Sequence, residues 1–215
     1  MKKINKLPTK IPVFPLSNFI IFPNTTVPLN IFEPRYIQMI DDCMKGNRLI
    51  GIVQPKKTGD LKKPNLYEVG CVGKITNFNE TADGRYFIVL NGICRYKIVD
   101  ELANDKLYRE CKINFDNYIN DLKENNKEEI KFADLKLIFN DLKNLFRKQG
   151  YLINWKDLEK QTLYQTINTL SMVSPFSLEE KQILLETSTL VERKKKLEEI
   201  LKTYISGSFE NTTLQ

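Results

Sequence analysis

The sequence predicts an α+β protein in which a β-rich lobe over residues 11–116 precedes an α-helical bundle lobe over residues 127–205. Apolar runs in the first lobe are short and broken by proline, as in strands. Apolar residues in the second lobe recur at steps of three and four, as in helices. Residues 117–126 are polar and show neither pattern, so we expect the boundary there. A block of strands followed by a block of helices is typical of α+β folds.

The β-rich lobe begins with two proline-punctuated strands on either side of a loop at residues 17–23. Pro34 then opens a helix that Gly46 ends, because proline suits the first helical turn and glycine the position just past the last. Later strands are expected at residues 48–54, 69–78 and 109–115. Glycines at positions 70 and 73 predict a bulge or a close backbone approach within the second of these.

The segment 85–99 predicts a β-hairpin, because Asn91-Gly92 is a preferred pair for a two-residue type I′ turn. Such a turn places one set of residues on a common face: Phe87, Val89, Cys94, Tyr96 and Ile98. The opposite face is only partly polar, which predicts a small closed or half-closed barrel. Asp83-Gly84 predicts another turn just before this segment.

The helical lobe carries its own start and stop signals. One helix is expected to end at Gly150, and a second to begin at Asn154. Ser177 and Glu180 form the spacing of a capping box, which opens a third helical stretch. A last apolar stripe extends over residues 190–204.

The composition and motifs of the chain exclude several kinds of catalytic, metal-binding and nucleotide-binding site. The 215 residues include no histidine, which excludes Ser-His-Asp and Cys-His catalysis, H-E-x-x-H metal sites and histidine general bases. The glycine spacing at residues 46–51 resembles a P-loop, but Ile52 and Val53 stand where lysine and serine or threonine must contact phosphate and Mg²⁺. We therefore predict no catalytic residue, no cofactor and no metal.

The cysteines lie far apart, with no C-x-x-C pair, and are expected to be buried reduced thiols: Cys43, Cys71, Cys94 and Cys111. A cytoplasmic location is the default expectation, because the basic segment 1–10 is not followed by the apolar core of a secretory signal. No apolar run approaches the roughly 18 residues that span a membrane. Residues 1–10 and 206–215 are expected to be loose tails.

The net charge of +6 arises entirely before residue 119, where 18 basic residues face 12 acidic ones, against 15 of each in the remainder. A Pro/Gly-marked loop contains one basic cluster: Lys56, Lys57, Lys62 and Lys63. This cluster is either ordinary solvated surface or a patch for nucleic acid or an acidic partner. No aromatic residue is interleaved with it, which favours the first interpretation.

Two features are candidates for protein binding. Phe19, Ile20, Ile21 and Phe22 are consecutive large apolar residues, and in a strand an outward pair such as Phe19 and Ile21 would form an apolar partner surface unless the helical lobe covers it.

Glu33 and Arg35 flank Pro34 within Phe32-Glu33-Pro34-Arg35-Tyr36. These charges are either a polar handle for a bound peptide or helix-start chemistry, with Glu33 near the positive helix N-terminus and Arg35 paired with a carboxylate elsewhere.

The same segments carry a family resemblance. Ile11-Pro12-Val13-Phe14-Pro15-Leu16, Ile20-Ile21-Phe22-Pro23 and Val27-Pro28-Leu29-Asn30-Ile31-Phe32-Glu33-Pro34-Arg35-Tyr36 resemble the opening of the Lon protease N-terminal (substrate-binding) domain family. The likeness continues at residues 67–75, 83–85, 90–96 and 180–186, and again at Arg193. It covers roughly residues 11–205.

The resemblance implies a PUA-like β-lobe followed by a helical lobe, in a free-standing version without the ATPase and protease modules of a complete Lon protease. It implies a recognition module for unfolded or apolar polypeptide segments or for a protein partner, in an adaptor or chaperone-like role. The contacts are expected in the β-lobe and in the groove between lobes. PUA-like barrels also bind RNA, so RNA binding by the basic β-lobe remains the alternative.

Overall fold

The computed structural model describes the backbone of residues 7–17, 19–60, 63–123 and 135–210, and the side chains of all of these except Asp60, Leu137 and residues 207–210. The predictions made for Lys62, for the outer parts of both tails and for the start of the helical lobe before residue 135 lie outside these residues. The chain divides into two compact units between residues 123 and 124.

Within the described residues, the first unit contains β1 (Lys10–Pro15), β2 (Thr26–Ile31), α1 (Pro34–Met44), β3 (Leu49–Val53), β4 (Pro55–Asp60), β5 (Lys63–Leu66), β6 (Val69–Glu80), β7 (Tyr86–Leu102), β8 (Arg109–Asn114) and a 3-10 helix (Ile119–Leu122). The strands predicted around residues 48–54, 69–78 and 109–115 are confirmed, as is the helix that begins at Pro34.

Six strands form one sheet in the order β2-β7-β6-β3-β1-β8, and β8 pairs with β7 as well. This last pairing closes β7, β6, β3, β1 and β8 into a barrel, and β2 lies at the remaining edge beside β7. β1 and β3 are parallel, and the other neighbours are antiparallel. The barrel, predicted as closed or half-closed, is therefore confirmed and is closed.

The predicted hairpin turn at Asn91-Gly92 is wrong. β7 continues through both residues, and neither has the positive φ that a type I′ turn requires. The chain instead reverses between β6 and β7 at residues 81–85, where Gly84 has a φ of +77°. The turn predicted at Asp83-Gly84 is thus confirmed.

Because β7 has no turn at Asn91-Gly92, its side chains lie on other faces than predicted. The inward side chains of β7 are fully buried: Ile88, Leu90, Cys94 and Tyr96. Phe87 is 44% exposed and lies on the opposite face with Val89, so the predicted common face is wrong.

Gly92 stays in the strand because the loop before β2 lies directly against it. A Cβ atom at Gly92 would overlap the carbonyl oxygen of Phe22. The amide of Asn24 donates to the Gly92 carbonyl at 2.9 Å, and the amide of Gly92 donates to the Thr25 carbonyl at 2.8 Å. Glycine is therefore needed at this position for a close backbone contact and not for a turn.

The glycines of β6 behave as predicted. A Cβ at Gly70 would overlap the Ile52 carbonyl and the Tyr96 hydroxyl, which is the expected close approach. Gly73 lies at a register shift against β7, which is the expected bulge.

The helix α1 packs one face into the core of this unit. Its buried residues recur at helical spacing: Tyr36, Met39, Ile40 and Cys43. They belong to one cluster with inward residues of the strands, among them Phe14, Ile50 and Ile88. Burying each large side chain of this kind is worth roughly 1.5–3 kcal/mol, so this face holds α1 to the strands.

A buried ion pair joins the 3-10 helix to β7. Arg95 donates from Nη2 to Oδ1 of Asp121 at 2.8 Å and from Nε to Oδ2 at 2.9 Å, and both side chains are almost fully buried. The guanidinium also lies 4.3 Å above the ring of Tyr118. Removing one partner of such a pair costs about 3–5 kcal/mol because the other charge stays buried.

Residues 55–60 and 63–66 differ from the predicted loop, since β4 and β5 form a separate two-stranded antiparallel sheet. We call this pair of strands the arm. Its proline and glycine residues suggested a loop, but Gly59, with a φ of +103°, is accommodated at a register irregularity between the two strands.

The second unit is helical over its described part, with α2 (Lys136–Lys148), α3 (Trp155–Leu158), α4 (Leu163–Val173), α5 (Leu178–Glu186) and α6 (Leu190–Glu210). Gly150 follows α2 with a φ of +74°, and the capping box of Ser177 and Glu180 is present. Asn154 caps only the short α3, because Thr162 and Gln165 form a second capping box that starts α4. The single helix predicted there is thus two.

The remaining features of this unit are a buried arginine and a longer last helix. Arg193 is fully buried and donates to the Leu184 carbonyl at 2.9 Å and to the Asn168 side chain, which joins α4, α5 and α6. The helix α6 extends through Glu210, so the loose tail predicted from residue 206 starts too early.

We predict that Gly92→Ala lowers the free energy of unfolding by about 1–3 kcal/mol, because the added methyl group overpacks the contact with the Phe22 carbonyl. Gly73→Ala is the matched control, since its Cβ would meet only the Leu90 side chain at 3.5 Å, an ordinary contact. That variant should change stability by less than about 1 kcal/mol. Urea denaturation of the full chain measures both, and equal midpoints for Gly92→Ala and the wild type would contradict the contact.

Candidate functional site

The corner between β2 and α1 is built by Glu33 and Pro34. Glu33 is extended, with φ −74° and ψ 132°, and its carbonyl accepts from the amides of Tyr36 at 2.9 Å and Ile37 at 3.0 Å. Pro34 occupies the first helical turn, where its missing N–H costs nothing. The chain therefore changes from strand to helix through only two residues, Phe32 and Glu33.

The charged side chains of this corner pair with each other. Nε of Arg35 donates to Oε2 of Glu33 at 2.9 Å, and Nη2 lies 2.7 Å from the same oxygen. The guanidinium carbon lies 4.6 Å from the ring centroid of Tyr36, whose ring lies 4.1 Å from that of Phe14. The carboxylate expected for Arg35 elsewhere in the chain is thus its near neighbour Glu33, and about half of each charged side chain stays exposed.

Two adjoining cavities flank this corner, and together we call them the corner groove. One has a volume of about 310 Å³, and its lining includes Phe14, Leu16, Asn30 and Phe32. The other has a volume of about 240 Å³, and its lining includes Pro55, Pro64, Leu107, Tyr108 and Arg109. Pro15, Ser17, Arg35 and Tyr36 line both.

The structure places the predicted binding residues in two different environments. Phe32 is 63% exposed at the corner groove, where Glu33 and Arg35 are partly exposed and Tyr36 forms the buried floor. The predicted site thus keeps one large accessible apolar side chain and one ion pair.

The apolar run before β2 is different. Ile20, Ile21 and Phe22 are at most 4% exposed, and Phe19 is partly buried against the core. The expected outward pair of Phe19 and Ile21 is wrong, because this segment is not a strand. The Phe22 amide donates to the Thr25 hydroxyl, and that hydroxyl donates to the Phe22 carbonyl. The backbone turns here, so the side chains do not alternate between two faces as they would in a strand.

The described lysines of the basic cluster lie on the arm, and the partners of Lys63 and Lys56 lie beside it. Lys63 pairs with Glu101 at 2.9 Å, and Lys56 lies 5.6 Å from the ring centroid of Tyr67. Lys56 and Tyr67 line a further cavity of about 380 Å³, which also contains Glu68 and Glu101. The basic cluster is therefore interspersed with carboxylates.

Arg109 connects the arm to the barrel. Its Nη1 donates to the Pro64 carbonyl at 2.8 Å, and its Nε donates to Glu101 Oε1 at 3.2 Å. Burial alone raises the pKa of the Glu101 carboxyl, but hydrogen bonds from Arg109 and Lys63 outweigh it and hold the pKa below the ordinary value of 4.5. Because Pro55 and Pro64 of the arm line the corner groove, these contacts also shape that groove.

Two tyrosine hydroxyls that line the corner groove and the cysteine thiols of this unit are held in their protonated forms. Burial raises the pKa of Tyr36, and burial with a hydrogen bond to Asp42 brings the pKa of Tyr108 to about 12 against the opposing effect of Lys106. Burial and the Asp42 carboxylate raise the pKa of Cys43 to about 12, and burial and the Glu101 carboxylate raise that of Cys111 to about 11.

The other two cysteines, Cys71 and Cys94, also have raised pKa values, chiefly through burial. The prediction of buried thiols is confirmed, and thiolate chemistry is disfavoured at all four positions. Within the part of the chain that the structure describes, no group of three or more Cys, Asp or Glu residues is placed to hold a metal ion.

Comparison with known proteins gives a family. The family model described as the ATP-dependent protease La (LON) substrate-binding domain matches residues 10–203. The chain belongs to this LON substrate-binding domain family.

Similar curated proteins are named Lon protease. One from Syntrophus aciditrophicus is 28% identical over 200 residues, which cover 89% of this chain and 25% of that protein. One from Flavobacterium johnsoniae is 26% identical over 197 residues, which cover 87% of this chain and 23% of that protein. The chain thus spans about a quarter of the length of these relatives.

Solved structures of LON N-terminal domains share the fold. The Lon N-terminal domain protein from Xanthomonas campestris aligns with a TM-score of 0.64 at 19% identity, covering 91% of this chain and 98% of that one. The N-terminal domain of Mycobacterium avium complex Lon protease aligns with a TM-score of 0.61 at 18% identity, covering 90% and 98%. The predicted β-lobe and helical lobe of the LON family are therefore confirmed as the architecture.

Sequence reasoning missed part of the site within this LON domain. Leu107, Tyr108 and Arg109 line the corner groove from a segment about 70 residues beyond the corner. No local pattern marks them, because their position depends on the pairing of β8 with β1.

Among the described residues, no helix is both long enough and apolar enough to cross a lipid bilayer.

We predict that Glu101→Gln destabilises the chain at neutral pH by roughly 1–3 kcal/mol, because Arg109 and Lys63 lose their charged acceptor. The folded-state pKa of Glu101 is depressed, so its stabilisation is fully present above about pH 4.5 and is lost as the pH falls through the folded value. The difference in unfolding free energy between wild type and variant should therefore shrink between pH 7 and pH 3.

Glu68→Gln is the control for this experiment, because its pair with Lys97 at 3.1 Å is largely exposed and should contribute less than about 1 kcal/mol. An equal loss in both variants, or a Glu101→Gln difference that grows as the pH falls, would contradict the assignment.

Proposed function

We propose that this chain is a non-catalytic recognition module that binds unfolded or apolar polypeptide segments, or a protein partner, at the corner groove. The observation that carries this proposal is Phe32, a large apolar side chain that is 63% exposed beside a groove lined by prolines and aromatic rings. An aromatic side chain with an exposed face, next to a concave surface, is the usual form of a binding hot spot.

The groove also offers polar contacts that suit a peptide. The half-exposed pair of Arg35 and Glu33 presents donors and acceptor oxygens next to the apolar lining. Peptide segments combine apolar side chains with backbone amides and carbonyls, so a groove of mixed lining satisfies both. The name of the family, substrate-binding domain, is consistent with this proposal.

The chemistry of the site supports binding without turnover. The pKa values of Tyr36 and Tyr108 are raised, so neither hydroxyl is activated at neutral pH. We propose an adaptor or chaperone-like role in protein quality control, in which the chain holds a polypeptide without cleaving it.

RNA binding is the second candidate, and one contact favours it. Lys56 lies beside the ring of Tyr67 at a cavity of about 380 Å³, a combination that suits a phosphate and a stacked base. Glu68 and Glu101 line the same cavity and would repel phosphate. We therefore rank RNA below polypeptide.

We predict that Phe32→Ala weakens the affinity for an unfolded chain by about threefold to thirtyfold, because an exposed aromatic anchor is lost. The probe is reduced, carboxamidomethylated lysozyme, which is permanently unfolded and cationic, so attraction to the net charge of +6 cannot explain its binding. Fluorescence anisotropy of labelled probe measures the affinity.

Leu152→Ala is the matched control, since Leu152 is fully exposed in the helical unit and lines none of these cavities. Its affinity should equal that of the wild type. Apolar binding should change little between 0.05 and 0.5 M salt, whereas contacts to several phosphates would lose orders of magnitude. Salt-sensitive binding of an RNA hairpin, without binding of the unfolded protein, would reverse the ranking.

A further inference from the structure

Among the residues that the structure describes, the strand β2 pairs along one edge with β7 alone, in a register without shifts, and its other edge is open. The Gly92 amide donates to the Thr25 carbonyl, which sets the phase of the hydrogen-bond ladder. In that phase Val27, Leu29 and Ile31 direct their amides and carbonyls to β7.

The alternate residues Thr26, Pro28 and Asn30 therefore direct their backbone groups away from β7, towards the open edge. All three are exposed. Three residues would present six groups, and the missing N–H of Pro28 leaves five: the amides of Thr26 and Asn30 and the carbonyls of all three. Pro28 thus removes no bond to β7.

This edge matches an extended polypeptide and little else. Alternate residues of a strand lie about 6.8 Å apart, which is the spacing at which a second strand offers amides and carbonyls. Neither a helix nor an RNA backbone presents donors and acceptors in that repeat. Addition of a strand to an open sheet edge is an established way in which proteins bind peptides.

The open edge leads directly into the corner groove. Asn30 belongs to the edge and also lines the 310 Å³ cavity, together with Phe32 and Phe14. A segment paired with β2 would therefore deliver a side chain into an apolar lining at the end of the strand. Backbone pairing would then provide affinity for many sequences, and the cavity would favour apolar residues.

The strand is short and contains a proline, which are also devices that protect edges against self-association. Yet β2 has no lysine, no bulge and no charged residue among Thr26–Ile31. Five groups remain open, so the protection is incomplete.

We infer that the open edge of β2 accepts an extended segment of an unfolded polypeptide as an added strand, bonded to Thr26, Pro28 and Asn30, with a side chain of that segment in the corner groove. This inference rests on the proposed function and specifies how the polypeptide is held.

The first test compares Asn30→Pro with Asn30→Ala in the full chain. Both remove the side chain, but only proline also removes the edge amide, and neither affects a bond to β7. Asn30→Pro should bind reduced, carboxamidomethylated lysozyme about threefold to tenfold more weakly than Asn30→Ala, which corresponds to one lost hydrogen bond. Thr26→Pro and Thr26→Ala form a second such pair, and thermal melting confirms that each variant is folded.

The second test is amide hydrogen exchange of the wild-type chain, followed by NMR with and without the same probe. The amides of Thr26 and Asn30 should gain protection, whereas those of Val27, Leu29 and Ile31, already bonded to β7, should change much less. This alternation does not depend on any variant folding.

The outcomes separate the two proposals. If the wild type binds the probe but the proline and alanine variants bind equally and no alternation appears, strand addition is wrong and the proposed function stands. If the wild type does not bind the probe, both are wrong. A dimer in sedimentation that dissociates in Asn30→Pro, without probe-induced protection, would assign the edge to a second copy of the chain and overturn the inference.

Discussion

The contact between the Phe22 carbonyl and Gly92 determines the course of β7 and the position of β2 in the first unit. Because Gly92 has no side chain, the loop before β2 lies against β7, and the backbones of Asn24 and Thr25 both form hydrogen bonds with that of Gly92. β7 can then continue for 17 residues, pairing with β2 in its first half and with β8 in its second. The same strand therefore closes the barrel and positions β2 with one edge open.

Local sequence signals predicted several helix starts and stops correctly, but they predicted a turn at Asn91-Gly92 that the structure does not contain. Pro34, Gly150 and the capping box at Ser177 act within one helical turn, so their effect can be read from neighbouring residues. Asn91-Gly92 is an equally strong local signal, but a contact with Phe22, some 70 residues away, overrides it. Tertiary contacts of this kind decide between alternatives that a single sequence leaves open.

The candidate site likewise contains residues that the sequence predicts and residues whose environment only the fold determines. Phe32, Glu33 and Arg35 were found from the sequence because they follow one another at a strand-to-helix corner. The burial of Ile21 could not be predicted, since it depends on how the loop folds onto the sheet. The apolar side chains nearest in sequence thus became core, and the accessible surface formed beside them. Membership of the LON substrate-binding domain family agrees with a recognition role for such a surface.

Site-specific photocrosslinking can show whether an unfolded polypeptide lies along the surface formed by the end of β2 and the corner groove. A photoreactive phenylalanine analogue replaces Phe32 in one full-length variant and Leu152, exposed in the helical unit, in another. We expect the photoreactive group at position 32 to form covalent adducts with reduced, carboxamidomethylated lysozyme and the group at position 152 to form none. Adducts at position 152 alone, or at neither position under conditions where binding is measured, would show that the polypeptide does not lie along this surface.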